Sequence, residues 1–468
     1  MKKETKKIET ELKIETPIGD VKIDLGEIAK IQAAIEAEAN KNQFKPKTML
    51  ESFIESYVGK KYDAFSNYYG GNLGPLMKIH TDKFFKGEWE LVKEFNLDEV
   101  RGIEIPCVYE SFPRPGGLNL RYLDYGFRLY QHKTNGEYCI LQHLCDSDGD
   151  SRLRTFETVK SDQDIFGFVS GNGILDDLVE DFYVNGPLKN TFFDLKYNFL
   201  DLDLENHELL CLDEQVEREL NENIILFQRL MPKLFQKGLP NSRGVILAGP
   251  PGTGKTLITK WLASQLEITR ILVSAEMLFN KHDIKDVYEI ARKLSPTLLF
   301  IEDIDTVGTL DRAISDHPLL GEFLQAMDGV VPNHGVITVA TTNHTENIDP
   351  AIADRPGRFD RIIEIDLPTR TQRKGILEKL LKKLEVDTSV NEIILSEIAK
   401  NTELLSGAWL RELVHTALIQ SIAHEREEIC AADLEFATCD VMKRRGMAYR
   451  PIKNTIRIQN LDKSPLFS

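Results

Sequence analysis

GVILAGPPGTGKTLITKWLASQ, residues 244–265, decides the fold. A short run of apolar, β-forming residues ends at a glycine-rich turn, and a helix-patterned stretch starts where the turn finishes. The turn, Gly249–Thr256, reads G-x-x-x-x-G-K-[ST] between a strand and a helix, the context that separates a phosphate loop from a chance match. Gly252 and Gly254 let the backbone curl so that successive N–H groups point inward at a phosphate. The helix N-terminus adds its partial positive charge. The expected nucleotide contacts are therefore Gly249, Pro250, Pro251, Gly252, Thr253, Gly254, Lys255, Thr256 and Leu257. Lys255 is expected to reach the β- and γ-phosphates and the Thr256 hydroxyl to complete a Mg²⁺ shell, so ATP and Mg²⁺ are the expected cofactors.

Outward from this turn, strands and helices alternate. Apolar runs at Val245–Ala248, Arg270–Val273, Leu298–Ile301, Val336–Ala340 and Ile362–Ile365 read as buried strands. Lys255–Gln265, Ile284–Leu294 and Leu319–Met327 read as the helices between them. Such alternation builds a parallel, doubly wound sheet. After residue 370 the strands stop and helix-patterned segments follow, which predicts a small helical subdomain.

In an open parallel sheet, ligands gather at the carboxyl ends of the strands. LLFIEDID, residues 298–305, ends one strand there with Glu302 and Asp303. Glu302 is expected to serve Mg²⁺ with Thr256, and Asp303 to orient and deprotonate the attacking water. Nucleotide hydrolases commonly write these two acids in the opposite order. The exchange shifts each carboxylate by one methylene, about 1.5 Å, which small backbone adjustments can absorb. Asn343, just past the next strand, could hold the lytic water. Arg355 and Arg358 flank a Pro-Gly turn that aims both outward, and an arginine offered to a neighbouring subunit's γ-phosphate can contribute about 10³–10⁵ in rate.

GPPGTGKT, the acidic strand end, ATTN and DPAIADRPGRFDR together resemble the AAA ATPase family, including its second region of homology. The resemblance covers roughly residues 205–440. LLSGAWLRELVHTAL looks like that family's sensor-2 helix, with Gly407 and Ala408 where a Gly-Ala pair lines the nucleotide. It implies a large α/β subdomain, a helical lid and a homo-oligomeric ring, usually a hexamer, with ATP at subunit boundaries. Three details resemble the mitochondrial Rieske-protein translocase subgroup: the Glu-Asp order at 302–303, TTNH at Thr341–His344, and a shortened stretch after the second strand. In those relatives the exchanged acids accompany active ATPases. The aromatic–hydrophobic–glycine pore loop of threading unfoldases has no counterpart in VSAEML and the Phe279–Asp283 stretch after it, which argues against processive threading.

The 468-residue chain is long enough for about three domains. Residues 1–45 are a charged segment expected to hold a strand at Val21–Leu25 and a helix at Glu27–Asn40. Residues 46–204 read as an α+β recognition domain, of one or two subdomains. GFRLYQHKTNGEYCILQHLC predicts a hairpin about Thr134–Gly136, and Arg152–Val159 and Ile165–Val169 read as further strands. Residues 205–368 form the α/β ATPase subdomain, 369–445 the helical lid and 446–468 a tail.

A net charge of −16 disfavours broad nucleic-acid or anionic-membrane binding. Six scattered cysteines without a C-x-x-C pair suit reduced thiols. No apolar run approaches the ~18 residues a membrane span needs, and a cytoplasmic location is expected. DSDGDSRLRTFE, residues 146–157, has acids in calcium-loop positions but Ser151 where glycine belongs, so an acidic hairpin turn is favoured. Cys139, His143 and Cys145 lack a fourth ligand and read as structural. Lys443–Arg445 reads as a helix C-terminal charge set.

The expectation is a P-loop α/β protein with a helical lid and an α+β N-terminal domain. Its expected function is a ring-forming, Mg-dependent ATP hydrolase that remodels or translocates a protein client held by the first domain. The alternatives are a nucleic-acid-dependent motor or loader, or an ATP-switched scaffold with little turnover.

Overall fold

The computed structural model describes residues 11–16, 19–24, 47–98, 101–146, 148–158, 173–202, 210–274, 278, 281–304, 332–344, 359–384 and 390–448. The expected helices at Glu27–Asn40 and Leu319–Met327, the strand at Ile165–Val169, Phe279, Arg355, Arg358 and the tail lie outside these residues.

The chain opens with an antiparallel pair, β1 (Glu11–Thr16) and β2 (Gly19–Asp24), the second of which covers most of the strand expected at Val21–Leu25. Helix α1 (Met49–Tyr57) starts at a capping box. The Thr48 hydroxyl accepts from the Glu51 N–H at 3.1 Å, and the Glu51 carboxylate accepts from the Thr48 N–H at 3.0 Å. Two orphan donors of the first turn are thereby satisfied.

Strand β3 (Tyr62–Tyr69), helix α2 (Leu73–Glu88) and strands β4 (Trp89–Asp98), β5 (Ile103–Ile105), β6 (Val108–Phe112), β7 (Leu120–His132), β8 (Tyr138–Cys145) and β9 (Ser151–Thr158) follow, then helix α3 (Ile174–Asn185). The strands form an antiparallel sheet in the order β3-β9-β8-β7-β4-β5, with β6 added on β7. The β7–β8 hairpin sits where the Thr134–Gly136 turn predicts it. Helices α2 and α3 cover one face, packing Phe85 flat on Tyr130 at 4.1 Å between ring centroids. Helix α1 covers the other, over Phe95, Phe127, Ile140 and Phe156. Burying one such phenylalanine contributes about 1.5–3 kcal/mol, so this sheet has a core on each side.

The second sheet is parallel, in the order β10-β12-β13-β14-β11-β15: β10 (Phe192–Asp194), β11 (Arg243–Ala248), β12 (Thr269–Ser274), β13 (Thr297–Glu302), β14 (Val336–Thr342) and β15 (Phe359–Glu364). The five strands expected from the sequence are all present within a few residues. The sixth, β10, comes from upstream of residue 205 and pairs with β12 from Phe192↔Arg270 to Asp194↔Leu272. Its anchor is Arg270, 8% exposed, whose guanidinium donates to the carbonyls of Ala263, Leu266 and Asn190 at 2.8–3.1 Å.

A helix not expected from the sequence precedes β11. It runs as α4 (Glu214–Leu220), a π-helical turn over Asn221–Leu226, and α5 (Phe227–Gln236). Helix α6 (Lys255–Gln265) follows the phosphate loop within the bounds the sequence predicts, and α7 (Lys281–Lys293) links β12 to β13. The first domain and the parallel sheet share one continuous core, in which Leu178 and Phe182 of α3 belong with Tyr288 of α7 and Ile301 of β13.

Four helices close the described chain: α8 (Arg370–Lys383), α9 (Glu392–Asn401), α10 (Gly407–Ala423) and α11 (Ala431–Ala448). They have their own core of Leu377, Leu410, Leu413, Leu434 and Val441, against which Leu257 of α6 packs. Arg444 of the basic cluster near the end of α11 pairs with Glu412 and Asp440. Among the described residues no helix is long and apolar enough to cross a membrane.

Candidate functional site

A cavity of about 900 Å³ opens between the parallel sheet and the four-helix subdomain. Its floor is the phosphate loop from Pro251 to Leu257, and Gly407 and Ala408 at the start of α10 close it from the lid side. The loop and the lid touch directly: the Ala408 N–H donates to the Gly252 carbonyl at 3.1 Å. Gly252 has φ +78°, and a Cβ there would stand 2.9 Å from the Ala408 Cβ and 2.8 Å from the Ser406 Oγ. Only glycine suits both the backbone and the space. Gly249 is needed for a different reason, since a Cβ would fall 2.1 Å from the Ile365 carbonyl oxygen.

Lys255 is the first residue of α6 and is 7% exposed. Its ammonium donates to the carbonyls of Gly249 at 2.7 Å and Pro250 at 3.0 Å, and to Asn343 Oδ1 at 2.9 Å. Gly249 and Pro250, expected from the sequence as nucleotide contacts, thus meet the lysine head group, and the loop residues on the cavity wall begin at Pro251. The Thr253 hydroxyl donates to the Pro250 carbonyl at 2.9 Å and braces the turn.

The Asn343 carboxamide faces two ways. While Oδ1 accepts from Lys255, Nδ2 donates to Asp303 Oδ1 at 3.0 Å. Residues 255, 303 and 343, far apart in sequence, form one hydrogen-bonded chain at the cavity wall. Asp303 lies just past β13 with φ +54°, in the left-handed region. Aspartate tolerates that region better than most residues, at a cost of about 1–2 kcal/mol. Its N–H donates to the Thr341 Oγ1 at 3.0 Å.

Glu302 ends β13, and its Oε1 is buried without a hydrogen-bond partner among the described residues. Glu302 is not itself on the cavity wall, where Thr256 and the next residue, Asp303, lie; its orphaned carboxylate oxygen and the Thr256 hydroxyl are both hard oxygen donors of the kind Mg²⁺ takes. Among the described residues no group of three or more His, Cys, Asp or Glu is gathered to hold a metal ion. The acidic stretch after β8 is a hairpin turn in which Asp146 Oδ1 accepts from the N–H groups of Asp148 and Asp150.

Part of the site escapes sequence reasoning. Leu210, Cys211, Asp213 and Val216, ahead of the phosphate loop, line the cavity, as do Arg411 of α10 and Ile362–Thr369 around the end of β15. No motif marks Leu210–Val216, which arrive by packing; Arg411 lies in the helix resembling sensor 2, and Ile362–Ile365 in an expected strand, without being singled out as site residues. Thr341 was visible only as one letter of TTNH, with nothing to tie its hydroxyl to the Asp303 backbone.

Residues 245–367 match the family model described as "ATPase family associated with various cellular activities (AAA)". This match identifies an AAA domain within the chain. Similar proteins include a proteasome-activating nucleotidase of Methanocella arvoryzae, 35% identical over 248 residues, which are 50% of this chain and 58% of that protein. An ATP-dependent zinc metalloprotease FtsH of Neorickettsia risticii is 36% identical over 261 residues, 52% of this chain and 40% of that protein. A proteasome-activating nucleotidase of Aeropyrum pernix is 37% identical over 238 residues, 48% of this chain and 56% of that protein. The chain thus spans roughly half the length of the relatives it matches. The AAA domain these comparisons identify includes the phosphate loop, Glu302, Asp303 and Asn343.

Proposed function

We propose that the protein is a ring-forming AAA ATPase that couples ATP hydrolysis to work on a protein client. The observation that carries the reading is the hydrogen-bonded chain from Lys255 through Asn343 to Asp303 along a cavity floored by the phosphate loop. It joins a cation suited to phosphate oxygens, a carboxamide able to hold water, and a carboxylate able to take a proton.

In this reading the inward N–H groups of the loop and the Lys255 ammonium bind the β- and γ-phosphates. Thr256 and Glu302 would hold Mg²⁺, which would supply positive charge to offset that of the phosphate oxygens. Asn343 orients a water beside the γ-phosphate, and Asp303 takes its proton as the water oxygen bonds to the γ-phosphorus and the bond to the β–γ bridging oxygen breaks, releasing ADP and phosphate. Arg355 and Arg358 act on the nucleotide of the adjoining subunit, and Gly407 and Ala408 follow the nucleotide with the lid. The rate comes from positioning and charge stabilisation, so an isolated subunit turns over slowly. The finer likeness, to the Rieske-protein translocase subgroup, rests on the Glu302-Asp303 order and on TTNH at Thr341–His344. Both support the exchanged carboxylate roles.

Several features support the protein client. The relatives are a proteasome-activating nucleotidase and a zinc metalloprotease, both named for work on proteins, and the −16 net charge argues against a nucleic-acid track. We assign client binding to the two-faced sheet of β3–β9 with helices α1–α3, and a cytoplasmic location suits the reading.

The test is phosphate release by assembled protein with Mg²⁺, compared between wild type and Asp303→Asn. The expected result is a loss of turnover on the order of 10²-fold or more with ATP binding kept. An unchanged rate in Asp303→Asn removes Asp303 as the base, and absence of Mg-dependent release in the wild type removes hydrolysis altogether. The ATP-bound Asp303→Asn protein is also the form with which to capture the client.

A further inference from the structure

We infer that Thr341 is a positioning residue for hydrolysis, its hydroxyl fixing the Asp303 backbone in the left-handed conformation that aims the shorter acid at the attacking water. This inference rests on Asp303 being the base.

The β13–β14 ladder pairs residues only as far as Ile301↔Ala340. Beyond that rung, β13 leaves the ladder. The next residue of β14 takes over with a side chain, Thr341 Oγ1 accepting the Asp303 N–H at 3.0 Å. Thr341 is 2% exposed and borders the cavity, so its hydroxyl is shielded from bulk water while still touching the reaction space. Asp303 is one of five described non-glycine residues with positive φ, and the only one of those five on the cavity wall.

An aspartate in the base position reaches about 1.5 Å less far than a glutamate. Turning φ from the strand region to +54° re-aims its Cα–Cβ bond, a change of direction rather than of length. A conformation that is strained for most residues persists only where its surroundings over-determine it. Among the described residues, two restraints act on Asp303. Thr341 holds the main chain, and Asn343, two positions further along the same strand end, holds the carboxylate at 3.0 Å. An apolar side chain at position 341 would leave the Asp303 N–H without this acceptor and free φ to relax toward the strand. The carboxylate would then swing away from the water.

The test compares Thr341→Val, which keeps shape and β-branching, with Thr341→Ser, which keeps the hydroxyl, both in the full-length assembled protein. Thr341→Val should lower kcat by about 10–100-fold, the range that misplacement on the order of an ångström produces. Its affinity for a fluorescent ATP analogue should stay within about twofold and confirm a folded site. Thr341→Ser should recover most of the rate. In an Asp303→Asn background, Thr341→Val should cost nothing further, because the group it positions is gone. The inference is overturned if Thr341→Val keeps the wild-type kcat, if serine does not rescue, or if the valine slows the Asp303→Asn protein by the same factor. A fast Asp303→Asn single variant would instead sink the base assignment itself, and this inference with it.

Discussion

Asn343 donates to Asp303 across the mouth of the parallel sheet, 3.0 Å from Nδ2 to Oδ1. The contact joins the ends of adjacent strands and leaves Oδ1 of the same carboxamide on the Lys255 ammonium. Substituting Asn343 by alanine unhooks both partners at once. The expected outcome is a fall in kcat on the order of 10²-fold, the usual size for losing one preorganised polar group at a reacting centre. Nucleotide affinity should change far less. Steady-state phosphate release and equilibrium nucleotide binding, measured on the same preparation, check the split.

The contact of Gly252 with Ser406 and Ala408 makes a second prediction. A methyl group at 252 must displace the start of α10 and adopt a φ of +78°. Overpacking of this kind costs about 1–3 kcal/mol. Because the strain falls on the seam between loop and lid, Gly252→Ala should weaken ATP binding by roughly tenfold or more while the lid core of Leu377, Leu410 and Leu434 stays folded. Nucleotide titration, with hydrogen exchange of α8–α11 as the control, reads both.

Arg270 carries a third. Its three carbonyl partners lie on α6, on the turn after it, and on the stretch that leads into β10. Arg270→Leu leaves those carbonyls without their donor, at a cost of about 1–3 kcal/mol for each that water cannot reach. Loosening of β10 from β12 should follow, seen as faster hydrogen exchange at Phe192–Asp194 and Arg270–Leu272. Unchanged protection there would mean that the paired strands hold without it.

A fourth prediction concerns acid. His143 is fully buried on β8, and burial first, then the positive charges of Arg128 and Lys78, hold its pKa well below the usual value. The folded protein therefore keeps this ring neutral at pH values where the unfolded chain protonates it. Its contribution to stability is present above about pH 6.5 and is lost as pH falls below that, by about 1.4 kcal/mol per pH unit until the folded pKa is reached. His80, on α2 against Asp181 of α3, is also depressed by burial and adds in the same direction. The His143→Leu protein should lack one such slope between pH 6 and pH 5, measured by hydrogen exchange at β7 and β8.

The ATPase half was legible because its signals are local. A strand, a phosphate loop and a helix occupy 22 consecutive residues, and three of the apolar runs lead into the phosphate loop, the Glu302-Asp303 pair and Asn343. The first domain was less so. Strand β7 is buried almost continuously from Tyr122 to Tyr130, because α2 and α3 lie on one face and α1 on the other. Burial on both faces erases the period of two that marks a strand with one wet side. Strand β10 is three residues long and makes sense only beside β12, a partner nearly 80 positions away. The conformation of Asp303 was hidden for a similar reason: a backbone angle set by a threonine on another strand leaves no mark in the neighbouring letters.

The core shared by α3, α7 and β13 has a mechanical consequence. Where two folded units are joined only by a tether, movement of one is dissipated in the tether. Here side chains of both interlock, and closely packed interiors transmit displacement because they compress little. Any tilt of the nucleotide-bearing sheet must therefore carry the seven-stranded sheet along with it, as an oar blade follows the loom.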